Sequence, residues 1–400
     1  MATPSRFGRS MNQPRIVSVA TAVPPRRYSQ DQALRMAGYT QPAARRIFEN
    51  SDIDYRHLFL EPSDQPGSES LDDLHRRYKE GAVLLARQAA ERCLAQAGLA
   101  ARDVDCILVC SCTGYLCPDL STLLVKEMGL RPCVQRGSLL GLGCAGALPG
   151  LQRAYDHAVA YPGHRVLLNA VEICTAADYK DDTMETLVAN AICADGAAAC
   201  LVSCREEHST HTPRVPQVSR GFQDQQGSEG PQWPPGLPEP PSPQWPREPR
   251  GPQGPQGPTI LGFASALDPD LQDLVGFEHR EGRLRIILAA EIRDVGPALA
   301  QRALNELFAS RGIEPADIAH WVLHPGGRKV IDRVQDTLGL SDGDVALSRH
   351  VLRNYGNMSS PTVLFVLHEV LERNAARPGD RGVLLALGPG LAAEAALLEW

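Results

Sequence analysis

The stretch SLLGLGCAGALPG, residues 138–150, places Cys144 among glycines, between an apolar run and a helical segment. A cysteine in that setting lies at a helix N-terminus, where the helix dipole favours the thiolate and small neighbours leave room for a substrate. The stretch therefore predicts a nucleophilic cysteine at a strand-to-helix turn. Such a nucleophile needs a nearby base or cation.

The same stretch also satisfies a second, weaker pattern. Gly141, Gly143 and Gly146 form G-x-G-x-x-G, which in dinucleotide-binding proteins follows the first strand of a βαβ unit. That interpretation needs an acidic residue about twenty positions further on. Glu172 is the one candidate, and it lies later than expected. Because strand-like runs also precede the stretch, nicotinamide binding is the less favoured alternative.

Two later motifs offer partners for Cys144. Residues 321–327, WVLHPGG, end a buried strand in His324 before an abrupt turn. Residues 354–361, NYGNMSSP, form a polar loop that contains Asn357 and leads into a helix. Each residue also has a purely structural interpretation, since His324 can be a hydrogen-bonded histidine at a strand end and Asn357 can be a helix N-cap. The spacing alone leaves both interpretations open.

Short apolar runs alternate with helical stretches on both sides of residue 210. The predicted strands are residues 15–20, 106–111, 165–171, 196–203, 319–324 and 382–387. The predicted helices are residues 79–97, 120–128, 146–161, 295–310, 329–338 and 361–374. Such alternation predicts layered α/β units with mainly parallel strands. We therefore expect two α/β halves, residues 14–210 and 259–400.

Residues 211–258 interrupt this pattern. Of the 32 prolines, 14 lie between residues 213 and 258, and those from Pro240 to Pro258 include one at every third position. Polyproline II has three residues per turn, so these prolines would line one edge of an extended rod. Because this composition offers little apolar surface for burial, we predict a disordered or polyproline II insertion at the surface. PxxP segments also bind aromatic grooves, which leaves a partner protein as an open alternative.

The composition limits the classes of function. The 400 residues carry 40 basic and 47 acidic side chains, a net charge of −7, and 43% are hydrophobic. The acidic balance argues against nucleic-acid binding, and no run reaches the roughly 18 to 20 apolar residues that span a membrane. The N-terminal residues lack the apolar segment of a secretory signal. We expect a cytoplasmic protein that binds no nucleic acid and has no membrane-spanning segment.

The chain contains 11 cysteines, which raises the question of a metal site. The tightest group is Cys106, Cys110, Cys112 and Cys117. The first two fall in a strand-like run, and no second ligand pair with its own turn follows, as zinc sites usually require. The favoured interpretation is reduced cysteines in a core and a pocket, with no metal bound.

Four motifs occur in the order typical of one enzyme family: LGLGCAGALPGL, LHPGGRKVID, RNYGNMSSPTVLFVL and ALGPGL. In this order they resemble the type III polyketide synthases, the chalcone-synthase-like branch of the thiolase superfamily. TAVPP, VEICTA and ICADGAAA add further matches, and residues 171–199 are most similar to bacterial members. The resemblance covers residues 14–205 and 259–400. It implies a thiolase-like fold of two similar layered α/β halves, with a proline-rich insertion between them.

The resemblance also implies a mechanism. Cys144 would carry the growing chain as a thioester, and His324 would keep Cys144 as a thiolate in an ion pair. His324 and Asn357 would donate hydrogen bonds to the thioester oxygen of malonyl-CoA and so stabilise the enolate that decarboxylation leaves. That enolate would attack the Cys144 thioester. Repeated condensation, with or without an acyl-CoA starter, would end in cyclisation to an aromatic or pyrone product, with no cofactor required, in a homodimer.

Departures from the family pattern predict an altered substrate pocket. The position before A-D-G, a bulky aromatic gatekeeper in plant enzymes, is Cys193, and a second gatekeeper aligns near Ala289. Cys112 and Cys117 would face the pocket, with Cys117 reaching the cavity of the partner subunit. The loop Gly388-Pro389-Gly390 follows a leucine where phenylalanine is usual.

The resemblance also implies a basic face for CoA. Arg46 matches a basic position expected to contact the CoA phosphates, whereas Ala43 and Asn50 stand at neighbouring positions that are basic in the family. Arg328 and Lys329, directly after the His-Pro-Gly-Gly turn, would supply the missing charge, because both side chains suit phosphate.

Two alternatives remain at this point. A priming β-ketoacyl synthase of the same superfamily would share the chemistry of Cys144, although the His-Pro-Gly-Gly and Gly-Asn-Met-Ser-Ser-Pro contexts favour the polyketide branch. A non-catalytic scaffold that binds partners through its PxxP rod belongs to a different class. The intact set of Cys144, His324 and Asn357 favours an enzyme.

Overall fold

The computed structural model describes residues 13–61, 64, 69–177, 179–204 and 257–400. The strands in these ranges are β1 (Arg15–Ala22), β2 (Arg27–Ser29), β3 (Tyr55–His57), β4 (Cys106–Ser111), β5 (Gln135–Leu140), β6 (Arg165–Ile173), β7 (Asp195–Ser203), β8 (Thr259–Leu267), β9 (Val275–Arg280), β10 (Arg283–Leu288), β11 (Ile318–Leu323), β12 (Arg381–Gly388) and β13 (Ala392–Glu399). The helices are α1 (Gln30–Ala37), α2 (Pro42–Glu49), α3 (Leu71–Gln96), α4 (Leu120–Glu127), α5 (Ala147–Ala160), α6 (Met184–Ile192), α7 (Ile292–Ala309), α8 (Arg328–Leu338), α9 (Asp342–Tyr355) and α10 (Thr362–Glu372).

Nine strands form one sheet in the order β11-β12-β13-β8-β1-β7-β6-β4-β5. From β1 outward, the pairs β1–β7, β7–β6 and β6–β4 run antiparallel, antiparallel and parallel. From β8 outward, the pairs β8–β13, β13–β12 and β12–β11 repeat that pattern. The prediction of two similar layered α/β halves is therefore confirmed.

The prediction of mainly parallel strands is wrong. Of the eight neighbouring pairs in the nine-stranded sheet, five are antiparallel and three are parallel. One physical reason is the short turn at residues 389–391, since a connection of that length can join only antiparallel strands. In the sequence, the Gly-Pro-Gly motif at that turn is the feature that indicates a short connection and therefore antiparallel strands.

Helices cover both faces of the sheet, and β7 shows how the two cores are built. Ala197, Ala199 and Leu201 face a core formed with α3, whereas the alternate residues Ala198 and Cys200 face the core on the other side. Side chains of a strand alternate between faces, so a strand buried on both faces has a continuous apolar sequence. This accounts for the unbroken run GAAACLVS.

Predicted boundaries agree best where the apolar pattern is clear. The strand predicted over residues 106–111 is β4, Cys106–Ser111, without change. The helix predicted from residue 79 begins eight residues earlier, as α3, because Ser70 caps it by accepting a hydrogen bond from the Asp73 backbone N–H at 3.1 Å. A capping box of this kind starts a helix through polar residues that carry no apolar stripe.

The chain leaves and re-enters the sheet at one place. Arg15 of β1 pairs with Ser203, the last residue of β7, and with Thr259, the first residue of β8. Ser203 and Thr259, which lie on either side of the proline-rich stretch in the sequence, therefore flank the same residue of β1 where the two halves meet. The stretch itself, apart from Gly257 and Pro258, lies outside the described residues, so its predicted conformation, its PxxP partner and the boundaries 14–210, 211–258 and 259–400 stay predictions.

In the part of the chain that the structure describes, every helix is too short or too polar to cross a membrane.

Candidate active site

Cys144 lies in a tight turn between the edge strand β5 and helix α5. The turn is a short 3-10 segment, Gly143–Ala145. Gly143 has a φ of 46°, in the left-handed region that favours glycine, and a Cβ atom there would come within 2.4 Å of Pro389 Cγ. The predicted strand-to-helix turn around Cys144 is therefore present, and glycine is required beside it.

The Cys144 thiol is surrounded by polar side chains of the loop before α10. Hydrogen bonding by Ser359 and Asn357 lowers the pKa of Cys144 and so favours its thiolate form. Burial outweighs them and raises the pKa of Cys144 to about 12, helped by the nearby Cys193 and Glu172. In this structure Cys144 is therefore a protonated thiol at neutral pH.

His324 directly follows β11 and is held by its backbone. Its N–H donates to the Leu385 carbonyl oxygen of β12 at 2.8 Å, and the residue is 7% exposed. Both ring nitrogens are buried, and neither has a hydrogen-bond partner among the described residues. Burial lowers the pKa of His324 to about 4, so the ring is neutral. The alternative of a hydrogen-bonded histidine at a strand end does not fit these observations.

Asn357 connects the other two residues. Its Nδ2 donates to the Gly326 carbonyl oxygen at 3.2 Å, in the turn that follows His324. Its backbone N–H donates to Ile192, and its carbonyl accepts from Ala194, which places it beside Cys193. Since Asn357 also favours the thiolate form of Cys144, one side chain influences the thiol and is bonded to the turn after His324.

The N-cap interpretation of Asn357 does not hold. Helix α10 begins at Thr362, and its N-cap residue is Pro361. The Asn357 Oδ1 instead accepts a hydrogen bond from the Ser359 N–H at 2.8 Å, inside the loop. Ser359 has a φ of 59°, so this bond stabilises a left-handed residue next to the Cys144 thiol.

A buried carboxylate supports the floor of the site. Glu172 accepts hydrogen bonds from the N–H groups of Cys112 and Thr113 at 2.9 and 3.0 Å and from the Ser360 hydroxyl at 2.7 Å. Burial raises the pKa of Glu172 above its ordinary value. These bonds use the carboxylate for structure, which does not fit the ribose-binding role that the dinucleotide interpretation required.

Sequence reasoning missed this supporting group. Glu172 was considered as a ribose ligand only, and Ser359 and Ser360 received no role although their motif was recognised. Nothing in one sequence shows that residue 172 and residues 359–360 meet, because β6 and the loop before α10 come from opposite halves of the fold.

Two predicted pocket cysteines lie close to Cys144. Cys112 is half-buried, with its Sγ 3.7 Å from the Ser359 Oγ. Cys193 is half-buried and forms a hydrogen bond with Cys174, which lowers the pKa of Cys193 and raises that of Cys174. Two further thiols therefore lie near Cys144.

The Gly-Pro-Gly loop packs against the nucleophile turn through its first two residues. A Cβ atom on Gly388 would lie 2.6 Å from the Ala145 Cβ and 2.9 Å from the Leu142 carbonyl oxygen. Pro389 contacts Gly143, whereas Gly390 donates a hydrogen bond to the Val275 carbonyl oxygen at 3.2 Å. Gly388 and Pro389 thus hold Cys144 in place, and Gly390 turns away from it.

The other two residues that were predicted to line the pocket are Ala289 and Cys117. Ala289 follows β10, and its N–H donates to the Leu274 carbonyl oxygen at 2.9 Å. Cys117 lies exposed on the loop after β4. Its predicted reach into a partner subunit stays a prediction.

The three predicted CoA-binding residues occupy the start of α8 and the exposed side of α2. Arg328 and Lys329 are the first two residues of α8, and Arg46 is exposed near the end of α2. Arg349 joins these regions, because its guanidinium lies 4.0 Å from Asp52, just beyond α2, and 2.6 Å from Asp332 of α8. The basic side chains therefore belong to neighbouring elements.

All 11 cysteines lie in the described part of the chain, and all are free. Within that part, no group of three or more His, Cys, Asp or Glu side chains is arranged to hold a metal ion. Cys106 and Cys110 are buried in β4.

Both halves of the chain match domain models of the same enzyme family. Residues 62–205 match the model for chalcone and stilbene synthases, N-terminal domain, and residues 266–399 match the model for the C-terminal domain of the same enzymes. The residues between the two matches include the proline-rich insertion.

Two of the similar curated proteins come from Streptomyces. The 3,5-dihydroxyphenylacetyl-CoA synthase of Streptomyces toyocaensis is 34% identical, over 97% of this chain and 90% of that protein. The 1,3,6,8-tetrahydroxynaphthalene synthase of Streptomyces peucetius subsp. caesius is 32% identical, over 96% of this chain and 93% of that protein. Both alignments run through nearly the whole of each chain.

Solved structures share the fold. The 1,3,6,8-tetrahydroxynaphthalene synthase of Streptomyces coelicolor, described as a bacterial type III polyketide synthase, is 25% identical, with a TM-score of 0.77 over 96% of this chain and 99% of that one. PKS-I of the brown alga Ectocarpus siliculosus is 26% identical, with a TM-score of 0.80 over 97% and 98%. The thiolase-like fold is thus confirmed, and neither the β-ketoacyl synthase nor the scaffold alternative is favoured. This chain belongs to the chalcone and stilbene synthase family and is a type III polyketide synthase.

Proposed function

We propose that the enzyme condenses malonyl-CoA units iteratively on Cys144, with or without an acyl-CoA starter, and cyclises the chain to an aromatic or pyrone product. The observation that carries this proposal is the position of Asn357, which donates a hydrogen bond to the turn that follows His324 and lies close enough to Cys144 to favour its thiolate form. His324 adds a buried ring with two unpartnered nitrogens. Together they offer a nucleophile and two hydrogen-bond donors at one place.

Decarboxylation uses the two donors. A neutral His324 ring carries one N–H, and Asn357 Nδ2 carries two, so both donate to the thioester oxygen of bound malonyl-CoA. When the C–C bond to the carboxylate breaks, CO2 leaves and its electron pair forms an enolate whose charge lies on that oxygen. Donors fixed before the reaction stabilise this charge strongly in a water-poor site. This chemistry uses no metal and no redox cofactor.

Condensation uses Cys144. The enolate carbon attacks the acyl thioester on Cys144, the C–S bond breaks, and the Cys144 thiolate leaves as a β-ketoacyl-CoA forms. The thiolate then attacks the new CoA thioester, which releases CoA and returns the lengthened chain to the enzyme. Each cycle adds two carbons and releases one CO2.

The first loading step requires a proton acceptor, and we propose His324. The resting Cys144 is protonated, with a pKa raised to about 12 chiefly by burial, and His324 is neutral, with a pKa lowered to about 4 by burial. The ion pair that the family resemblance implies therefore forms when Cys144 passes its proton to His324 as an acyl-CoA binds. Ser359 and Asn357 stabilise the resulting thiolate.

This order of events predicts how Cys144 responds to pH without substrate. Its rate of alkylation by iodoacetamide should still rise between about pH 9 and pH 10, since a thiol with so high a pKa is mostly protonated there. The measurement is the alkylated fraction of the Cys144 peptide by mass spectrometry, with the exposed Cys133 as the reference for reagent reactivity. A plateau that begins below about pH 7 would instead mean that the ion pair exists before substrate binds.

The basic residues at the ends of α2 and α8 support a CoA-binding role. We assign the CoA phosphates to Arg46, Arg328 and Lys329, which lie on elements joined by the Arg349 ion pairs. Arginine and lysine suit phosphate, and a helix N-terminus adds a favourable dipole at Arg328.

The edge of the sheet supports a homodimer. Strand β5 has a neighbour on one side only within the described sheet. Leu140 at its end is 51% exposed, and Tyr115 on the adjacent loop is 69% exposed. An unpaired strand with apolar neighbours is an association surface, and Cys117 lies on the same loop, where it would reach the second subunit.

Two relatives are named as synthases of 3,5-dihydroxyphenylacetyl-CoA and of 1,3,6,8-tetrahydroxynaphthalene, and these names support a polyhydroxylated aromatic product for this enzyme.

The free cysteines support a reducing compartment such as the cytoplasm.

The test of the function is incubation of the purified protein with labelled malonyl-CoA, alone and with a panel of acyl-CoA starters. We expect release of labelled CO2 and a cyclised product by mass spectrometry. If neither CO2 nor any condensed product forms with any starter, the proposed function is wrong.

A further inference from the structure

The loop that carries Asn357 is bonded through its backbone to the end of helix α6. The Asn357 N–H donates to the Ile192 carbonyl oxygen at 2.8 Å, and the Ala194 N–H donates to the Asn357 carbonyl oxygen at 2.9 Å. Ile192 is the last residue of α6, and Ala194 directly precedes β7. The position of Asn357 therefore depends on a helix end that belongs to the other half of the fold.

The same helix end accepts two hydrogen bonds from Arg56, in the middle of β3. The Arg56 Nη1 donates to the carbonyl oxygens of Asn190 and of Cys193, the C-cap residue, at 2.8 and 2.7 Å. The last carbonyl groups of a helix have no partner within it, and the negative end of the helix dipole lies there. An arginine satisfies both, so Arg56 is a C-terminal cap of α6 that comes from a distant strand.

The Arg56 side chain is enclosed by protein. Its exposed fraction is 3%, and burial lowers its pKa to about 10, so the guanidinium remains charged at neutral pH. A buried charge is costly unless hydrogen bonds compensate it, and the two carbonyl oxygens do so here. The guanidinium carbon also lies 5.5 Å from the centre of the Phe48 ring, within the range of a cation–π contact. A charge so enclosed acts through the groups around it.

Arg56 also packs against the residue that precedes Asn357. A Cβ atom on Gly356 would lie 3.0 Å from the Arg56 Cγ and 3.0 Å from the Ile192 carbonyl oxygen. Gly356 has a φ of 75°, in the left-handed region that favours glycine. The arginine stem and the end of α6 therefore hold the backbone next to Asn357 from two sides.

We propose that Arg56 is a positioning residue for Asn357. By capping α6, Arg56 fixes the two backbone groups to which Asn357 is bonded. The Asn357 Nδ2 uses one N–H for the Gly326 carbonyl oxygen at 3.2 Å, which leaves the other for the malonyl thioester oxygen. Such a donor stabilises developing charge best when its direction is fixed before the reaction. The proposal rests on the proposed decarboxylation of malonyl-CoA.

The first test is the kcat of CO2 release by Arg56→Gln. This substitution removes the charge at the end of α6, so the helix end loses its cap and Asn357 its alignment. We expect kcat to fall about tenfold, since misplacement of a catalytic group by about 1 Å costs up to about a hundredfold. KM should change by less than about twofold, because the buried arginine does not touch the substrate. Arg56→Lys keeps the charge and should retain about a third of the wild-type kcat.

A second buried arginine provides the matched control. Arg285 is 7% exposed and donates hydrogen bonds to Thr183, the N-cap residue of α6, and to Glu185 in its first turn. Arg285→Lys therefore perturbs the opposite end of the same helix and should release CO2 at nearly the wild-type rate. An equal loss of kcat in Arg56→Lys and Arg285→Lys would mean that general loosening of α6 is responsible, which contradicts the proposal.

A double variant separates positioning from a merely structural role. If Arg56 acts through the Asn357 amide, Arg56→Gln should change the kcat of Asn357→Ala by less than about twofold. An equal loss in both backgrounds, or the wild-type kcat in folded Arg56→Gln, would overturn the positioning role. Thermal melting establishes folding, and Arg56→Lys replaces Arg56→Gln in the same comparison if the glutamine variant does not fold. If the wild type itself releases no CO2, the proposed function fails instead.

Discussion

Replacing Cys144 with alanine should abolish polyketide formation while CO2 release from malonyl-CoA remains measurable. Chain extension requires a thioester on the enzyme, and Cys144 is the thiol whose thiolate form is favoured by both Ser359 and Asn357. Decarboxylation, in contrast, depends on His324 and Asn357, which the substitution leaves in place. We expect product formation to fall by roughly a thousandfold or more, as for the loss of a covalent nucleophile.

The assay follows labelled CO2 and labelled product in the same reaction. Cys133→Ala is the matched control, because Cys133 is also a free cysteine but is exposed. That variant should behave as the wild type. Full product formation by a folded Cys144→Ala protein would show that another residue carries the chain, with Cys112 and Cys193 the nearest thiols.

Removal of the Asn357 amide should slow decarboxylation itself. In Asn357→Ala, the malonyl thioester oxygen loses one of its two proposed donors, and the rate of CO2 release should fall by about a hundredfold to a thousandfold. His324→Gln should have an effect of similar size, because it removes the ring N–H. Both variants should therefore be impaired before condensation, unlike Cys144→Ala.

A neighbouring asparagine provides the control. Asn354 belongs to the same loop motif, but its Nδ2 donates to the His350 carbonyl oxygen of its own helix at 2.9 Å. Asn354→Ala should therefore release CO2 at nearly the wild-type rate. Since the Asn357 Oδ1 also stabilises the loop at Ser359, thermal melting must show that Asn357→Ala is folded. Wild-type CO2 release by folded Asn357→Ala and His324→Gln would refute the donor roles.

The local features of this fold are well determined by the sequence. The apolar run of β4 predicts the strand without error, and the glycines around Cys144 predict its strand-to-helix turn. Both signals are local, since they depend on hydrophobic periodicity and on the conformations that glycine allows. The same holds for the strand that ends just before His324.

The features that the sequence did not determine depend on contacts between distant segments. The sheet is mixed because β13 folds back on β12, and the strand directions follow from that pairing rather than from the composition of either strand. Glu172 supports the site through Ser360, 188 positions away. Arg56 likewise donates hydrogen bonds to carbonyl oxygens more than 130 positions away, which no local pattern indicates.

The resting protonation states could not be predicted from motifs either. A cysteine at a helix N-terminus suggests a low pKa, yet burial raises the pKa of Cys144 to about 12. The helix dipole contributes about 1 kcal/mol or less in most settings. Removal of a thiolate from water costs more than that, so the enclosure of the site decides the outcome.

The central claim is that Cys144 carries the growing chain. It is tested most directly by brief incubation of the wild-type enzyme with malonyl-CoA, acid quenching, proteolysis and mass spectrometry of all cysteine-containing peptides. The account predicts an acyl adduct on the peptide that contains Cys144 and unmodified peptides for Cys112 and Cys193. An adduct on one of those two cysteines instead, or continued product formation with no adduct on Cys144, would contradict it.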